Sequence, residues 1–380
     1  MLGSLILNRR RSYSLTQPEA SRTQSSDTLL GWTDPDYESA SDLTRSRSPS
    51  PLPKAQQHVC GIPVESPDST RFGNYIHSRI LQKYPFLVEM FYWALNFVAY
   101  SMTKKLAGVI YGRGGHHVTA LAQDNGIAIL NLEHKSILSI FFPIDEARLQ
   151  QFFLLNHKPV MTFFNQIYSL VHIPGTVLFL SWYYYAAPNH ATFAVARRTM
   201  TLGNFAAFII FCFYPCMPPR LLPESFGFQD TVRQGNAESV WVGGANVNQL
   251  AAMPSLHFTY AFVIGCTFFY HSGFLQLLQG QRTPGRSTFR MVGFMLMGVL
   301  YPALVLTVIV ATANHYYFDA VVATFSVSLS FLGNKVWLVF LPAERLLCWA
   351  LRVKKPVPTT GQRYGSREEE TNERVKVTIV

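Results

Sequence analysis

Beyond about residue 75 the chain alternates long apolar runs with short polar breaks. Six of these runs approach the roughly 20 residues an α-helix needs to cross a bilayer. They run from Phe86 to Met102, Gln166 to Ala187 (with Pro174 inside), Thr199 to Cys216, Met253 to Tyr270, Met291 to Ala313 and Phe318 to about Leu341. The interval 103–165 holds shorter amphipathic stretches, Ile127 to Phe142 and Glu146 to Leu155, which are expected to lie flat in the interface or re-enter the membrane. Residues 1–75 are rich in Ser, Pro, Arg, Asp and Thr, as in Arg45-Ser46-Arg47-Ser48-Pro49-Ser50-Pro51. Such a segment cannot bury a core and is expected to be a disordered cytosolic tail. The pattern therefore predicts an all-α polytopic membrane protein. A six-transmembrane-helix bundle over residues 80–350 stands between that tail and a loose polar tail over 351–380.

Composition sharpens this reading. Hydrophobic residues make up 49% of the 380 residues and charged ones 14%, and mean hydropathy is +0.13 despite the polar start. The net charge of +10 would point to nucleic acid in a soluble protein. Here the basic residues lie mostly in tails and short loops, so the bilayer is the expected partner and nucleic acid is not. With the Arg-rich N-terminus in the cytosol, Arg197-Arg198, the loop bearing Arg282, Arg286 and Arg290, and Arg352, Lys354 and Lys355 all fall on the cytosolic side; Lys104 and Lys105 fall on the other. Arg220, His257 and His315 then reach one non-cytosolic face. The five cysteines form no metal-type spacing and read as small apolar residues. The start is too short in its apolar part for a secretory signal, and no glycosylation sequon marks the topology.

Ionisable groups at the edge of a membrane are costly, which directs attention to two stretches. His315 and Asp319 are four residues apart and share one helix face. If Asp319 accepts from one ring nitrogen, the other keeps a lone pair, as a nucleophilic histidine requires. The bland reading is a helix-capping pair. In Pro254-Ser255-Leu256-His257, Pro254 suits the first turn of a helix and Ser255 has a hydroxyl to offer near the positive end of the helix dipole. His257 is placed to protonate a leaving alkoxide; the alternative is a satisfied interfacial histidine. Arg220 follows Pro218-Pro219, and its guanidinium can bind two phosphate oxygens or simply flank a span. Arg197 and Arg198 read as topology charges, His116-His117 and His157 as surface residues, and Trp182 to Tyr185 as an interfacial aromatic belt.

Tyr214-Pro215-Cys216-Met217-Pro218-Pro219-Arg220, then Phe226-Gly227-Phe228-Gln229-Asp230-Thr231, Pro254-Ser255-Leu256-His257 and Asn314-His315-Tyr316-Tyr317-Phe318-Asp319 occur in that order. The set resembles the type-2 phosphatidic acid phosphatase superfamily. More narrowly, it is similar to the branch of inositol phosphorylceramide synthases and inositolphosphotransferases, over roughly residues 120–340. The resemblance implies a six-helix bundle with a lumenal or extracellular site. It implies His315 as a nucleophile forming a phosphohistidine, Asp319 orienting it, His257 as acid and then base, and Ser255 and Arg220 holding the phosphate. No metal or other cofactor is implied. The wider superfamily carries Ser-Arg shortly before the nucleophile and Pro-Ser-Gly-His in the middle motif. Here Thr307 to Ala313 contains no arginine and residue 256 is Leu, which shifts the missing arginine's task to Arg220. The expected activity is transfer of an inositol phosphate-like headgroup from a phospholipid or sphingolipid to a lipid or alcohol acceptor. A lipid-phosphate phosphatase using water is the close alternative, and a non-catalytic membrane relative a more distant one. Protein partners stay unspecified, and an endoplasmic reticulum or Golgi location rests on analogy.

Overall fold

The structure is a computed structural model that describes residues 56–59, 62–65, 67–110, 115–231, 249–280 and 287–360. Residues 1–55, Cys60, the loop 232–248, Arg282, Arg286 and residues 361–380 lie outside the described residues. The helices are α1 (Ile76–Lys83), α2 (Leu87–Ile110), α3 (Gly115–Lys135) and α4 (Glu146–Asn156). They continue with α5 (Lys158–Ala186, with a π-turn at Ile167–Val171), α6 (His190–Phe213), α7 (Leu256–Ser272), α8 (Phe274–Leu278), α9 (Thr288–Ala311), α10 (Tyr317–Leu332) and α11 (Leu341–Ala350). Short 3₁₀ turns lie between several of them.

The all-helical expectation holds for the body of the chain. One exception is an antiparallel pair, β1 (Gln56–Val59) with β2 (Ile62–Glu65), inside the stretch expected to be disordered. A helix stands at each of the six apolar runs, yet they are not equally suited to lipid. Two, Lys158–Ala186 and Thr288–Ala311, are long and apolar enough to cross a membrane. A third is reached if Tyr317–Leu332 and Asn334–Ala350, bent by 54°, form one span. Among the described residues two to three of the six expected spans are therefore shown. The reasons are charge and length. α2 carries Glu89, Lys104 and Lys105, α6 carries Arg197 and Arg198, and α7 has only 17 residues, about 25 Å of helix.

The described residues fall into two compact units. The first comprises the described parts of Met1–Ala94, Leu178–Arg198 and Gly333–Val380. In it, Arg197 Nη1 donates to both oxygens of Glu89 at 2.7 Å, and Arg198 is buried with its carbonyl accepting from Trp337 Nε1. Arg197 is thus paired and Arg198 buried inside the fold, rather than left as solvated charges. Tyr183 and Tyr184 are also buried, packed with Phe179 and Phe193, so half of the expected aromatic belt is interior, while Trp182 is exposed. The tail after Leu351 is not wholly loose: Lys354 N donates to Ser78 Oγ, and Gln82 Nε2 to the Lys355 carbonyl.

The second unit, Leu95–Val177 and Thr199–Leu332, holds the motif residues. Its tightest packing is α7 against α9. A Cβ on Gly265 would sit 2.6 Å from the Gly298 carbonyl and clash with the Pro302 ring, so only a bare Cα permits this approach. Phe258, Ala261, Val305, Ile309, Ala320 and Ala323 then close an apolar core between α7, α9 and α10. A second core joins α3 to the motif loops through Ala122, Ile129, Cys216, Met217 and Tyr316. The interval read as interfacial thus supplies α3 and α4 to the interior of this unit.

Candidate active site

Two extended loops precede the site. Cys216 N donates to the Leu250 carbonyl at 2.8 Å, and Ala252 N returns to the Cys216 carbonyl at 3.1 Å. This short parallel bridge ties the Pro-Pro-Arg segment to the Pro-Ser-Leu-His segment. Tyr316, fully buried, adds a third tie by donating its hydroxyl to the Met217 carbonyl at 2.8 Å. Gly126 of α3 is needed beside it, because a Cβ there would lie 2.6 Å from that hydroxyl.

His315 occupies the turn between α9 and α10 and is buried. Its Nδ1 lies 2.8 Å from the Ala252 carbonyl and 3.2 Å from Asp319 Oδ2. A carbonyl can only accept, so Nδ1 carries the proton and Nε2 holds the lone pair. Asp319 Oδ2 also accepts from Tyr316 N at 3.0 Å, which fixes the carboxylate in the first turn of α10. The i, i+4 reading of His315 and Asp319 matches this geometry, while the carbonyl partner from residue 252 left no trace in the sequence.

His257, in the first turn of α7, brings its ring centroid to 5.8 Å from that of His315. Ser255 is the N-cap of α7: its hydroxyl accepts from Phe258 N at 3.3 Å, and the side chain is buried. The expectation that Pro254 opens the helix and Ser255 offers an unengaged hydroxyl is corrected here. The lone pair serves the cap, and the O–H donor is what remains for a ligand.

Arg220 is anchored from both directions. Its Nε donates to Asn314 Oδ1 at 2.9 Å and its Nη1 to Asp230 Oδ2 at 3.0 Å, while its backbone N donates to the Ala313 carbonyl at 2.9 Å. The guanidinium therefore sits beside the residues just before His315, and two of its five N–H groups are spoken for. Arg220, Ser255, His257, His315 and Asp319 are brought into one neighbourhood of the second unit. Asn314 and Asp230, quoted above as motif letters only, emerge as the residues that hold Arg220.

Residues outside the motifs also support the site. Tyr168 stacks on His257 at 4.2 Å between ring centroids. Glu133, from α3, accepts from Phe318 N at 2.5 Å and so caps the helix that carries Asp319. Burial, and then the neighbouring Glu146 carboxyl, push Glu133 well above the usual carboxylate range. Glu133, His134 and Glu146 have ligand atoms within 4.8 Å of one another, and among the described residues they form the donor group that could hold a divalent cation. The side chains of His116 and His117 lie outside what is described, and His157 is exposed against Phe152 and Phe153, as expected of a surface residue.

Comparison with known proteins adds one positive result. Residues 128–278 match a family model described as the PAP2 superfamily. No curated protein and no solved structure gives a significant match. The matched region contains Arg220, Ser255 and His257, while His315 and Asp319 lie beyond it. The match supports the superfamily, and with it an enzyme of the lipid phosphatase or phosphotransferase type.

Proposed function

We propose that this protein is an integral-membrane phosphotransferase that moves a phospho-headgroup, of the inositol phosphate kind, from a lipid donor through a phosphohistidine on His315 to a lipid or alcohol acceptor. The observation that carries the reading is the double anchorage of His315 Nδ1, by Ala252 O at 2.8 Å and Asp319 at 3.2 Å, which leaves Nε2 unprotonated for attack.

The proposed steps follow from the neighbours. His315 Nε2 attacks phosphorus; the Nε2–P bond forms as the bond from phosphorus to the donor's alcohol oxygen breaks. His257, protonated, gives its proton to that oxygen. Asp319 stabilises the imidazolium that the new bond creates. The acceptor hydroxyl then gives its proton to His257 as its oxygen bonds to phosphorus, and the Nε2–P electrons return to His315. Arg220 and the Ser255 hydroxyl stabilise the charge on the equatorial oxygens. Every role is filled by a side chain of this chain.

Water in place of the alcohol would make the same machinery a lipid-phosphate phosphatase. The two separate in one assay: purified protein with fluorescent phosphatidylinositol, with and without ceramide, against His315→Ala. The transferase reading expects a product that needs ceramide and vanishes in the variant. Release of inositol phosphate or free phosphate without acceptor would make the protein a phosphatase, and equal activity in the variant would sink the reading. The proposed setting is a lumenal face of the endoplasmic reticulum or Golgi.

A further inference from the structure

The π-turn at Ile167–Val171 interrupts the apolar helix α5. Such turns insert one extra residue and re-aim the side chains around them, frequently at functional sites. Here Tyr168, inside the turn, and His172, directly after it, both pack on the His257 ring, at centroid distances of 4.2 and 5.0 Å. His172 is 4% exposed. Its Nδ1 lies 3.4 Å from the Tyr301 hydroxyl, and its ring also stacks on Tyr260. Its Nε2 is buried with no hydrogen-bond partner. A buried polar atom left unpaired is destabilising. Sitting in the ring beside the general acid, it fits a partner that arrives with the substrate.

We infer that His172 Nε2 is a binding position for the alcohol oxygen of the substrate, the oxygen that leaves in the first transfer step and attacks in the second. With the Tyr301 hydroxyl donating to Nδ1, the neutral ring presents Nε2–H as a donor. That donor stabilises the negative charge that grows on the oxygen as its bond to phosphorus breaks. No proton leaves His172; His257 carries the single proton that passes from acceptor to donor. This inference rests on the phosphohistidine reading and adds to it the class of atom recognised, an alkyl alcohol oxygen of high basicity.

The test uses full-length protein and two donors that differ in the leaving group, phosphatidylinositol and the inositol phosphate ester of 4-nitrophenol. A nitrophenolate needs little hydrogen-bond help. His172→Phe keeps the ring packing and removes the donor. It is expected to slow the lipid donor about 100-fold and the nitrophenyl donor less than about threefold, and His172→Gln, which restores an N–H, to recover most of the lost rate. An equal fall on both donors would assign His172 a structural role and overturn the inference, as would an unchanged rate on the lipid donor. If the Phe variant is not recovered folded, His172→Leu carries the same comparison. His315→Ala serves as the separate check: it must silence both donors, and its persistence on either would overturn the phosphohistidine reading itself.

Discussion

Replacing Asp319 with Asn changes one charge and little else, which makes it the sharpest probe of how the site works. The carboxamide oxygen can still accept from Tyr316 N, as Oδ2 does now at 3.0 Å. The Ala252 carbonyl, 2.8 Å from Nδ1, still holds His315 in the tautomer that exposes Nε2. What disappears is the negative charge 3.2 Å from an imidazole that turns positive when it bonds to phosphorus. At an effective dielectric of about 20, a unit pair at that distance is worth roughly 5 kcal/mol. The amide dipole recovers part of this, leaving about 3–4 kcal/mol, or a 100- to 1,000-fold loss of turnover. Asp319→Ala also frees the Tyr316 N–H and is expected to lose more, together with stability. The assay is single-turnover transfer from fluorescent phosphatidylinositol, with thermal unfolding run in parallel. A folded Asn variant within about threefold of wild type would refute the reasoning, because the carboxylate would then be a cap and nothing more.

Other consequences are equally open to measurement. Arg220→Lys cannot satisfy both Asn314 and Asp230, so inhibition by vanadate is expected to weaken at least about tenfold; an unchanged inhibition constant would remove Arg220 from phosphate binding. Gly265→Ala forces a methyl into the Gly298 carbonyl and the Pro302 ring, with an expected cost of about 1–3 kcal/mol, read as a lowered Tm. His190, between the second and third apolar runs, is buried in the first unit, which lowers it to about 3 despite Glu89, with Arg197, Lys355 and Arg198 acting in the same direction as burial. The unfolded chain takes up a proton near pH 6.5 and the folded one does not until about pH 3. Stability should therefore fall as pH drops through that window, by about 2 kcal/mol at pH 5. His190→Gln should flatten that slope, and an unaltered pH dependence would show that the charge change lies elsewhere.

What could be read from the sequence was local. The i, i+4 relation of His315 and Asp319 depends on neighbours within one turn, and the structure carries it; the helix start was placed one turn early, because Ser255 caps the helix instead of lying inside it. Residues that act through distant contacts were not legible. Glu133 caps α10 from another helix, Asp230 meets Arg220 across a loop, and His172 looks like any histidine in an apolar run until the π-turn places it on His257. Two to three of the six expected spans stand out among the described residues, for a related reason. Apolar runs locate helices well, but Glu89 of α2 and Arg197 of α6 pair with each other within the first unit. Hydropathy registers both only as interruptions.

Covalent chemistry at His315 can be caught by trapping the intermediate. The protein is incubated with phosphatidylinositol in the absence of acceptor, quenched at alkaline pH to preserve a phosphorus–nitrogen bond, and mapped by peptide mass spectrometry. An inositol phosphate adduct is expected on the peptide containing His315, absent from His315→Ala and lost when ceramide is added. Turnover without any adduct on His315, or an adduct on a different residue that persists in His315→Ala, would contradict it.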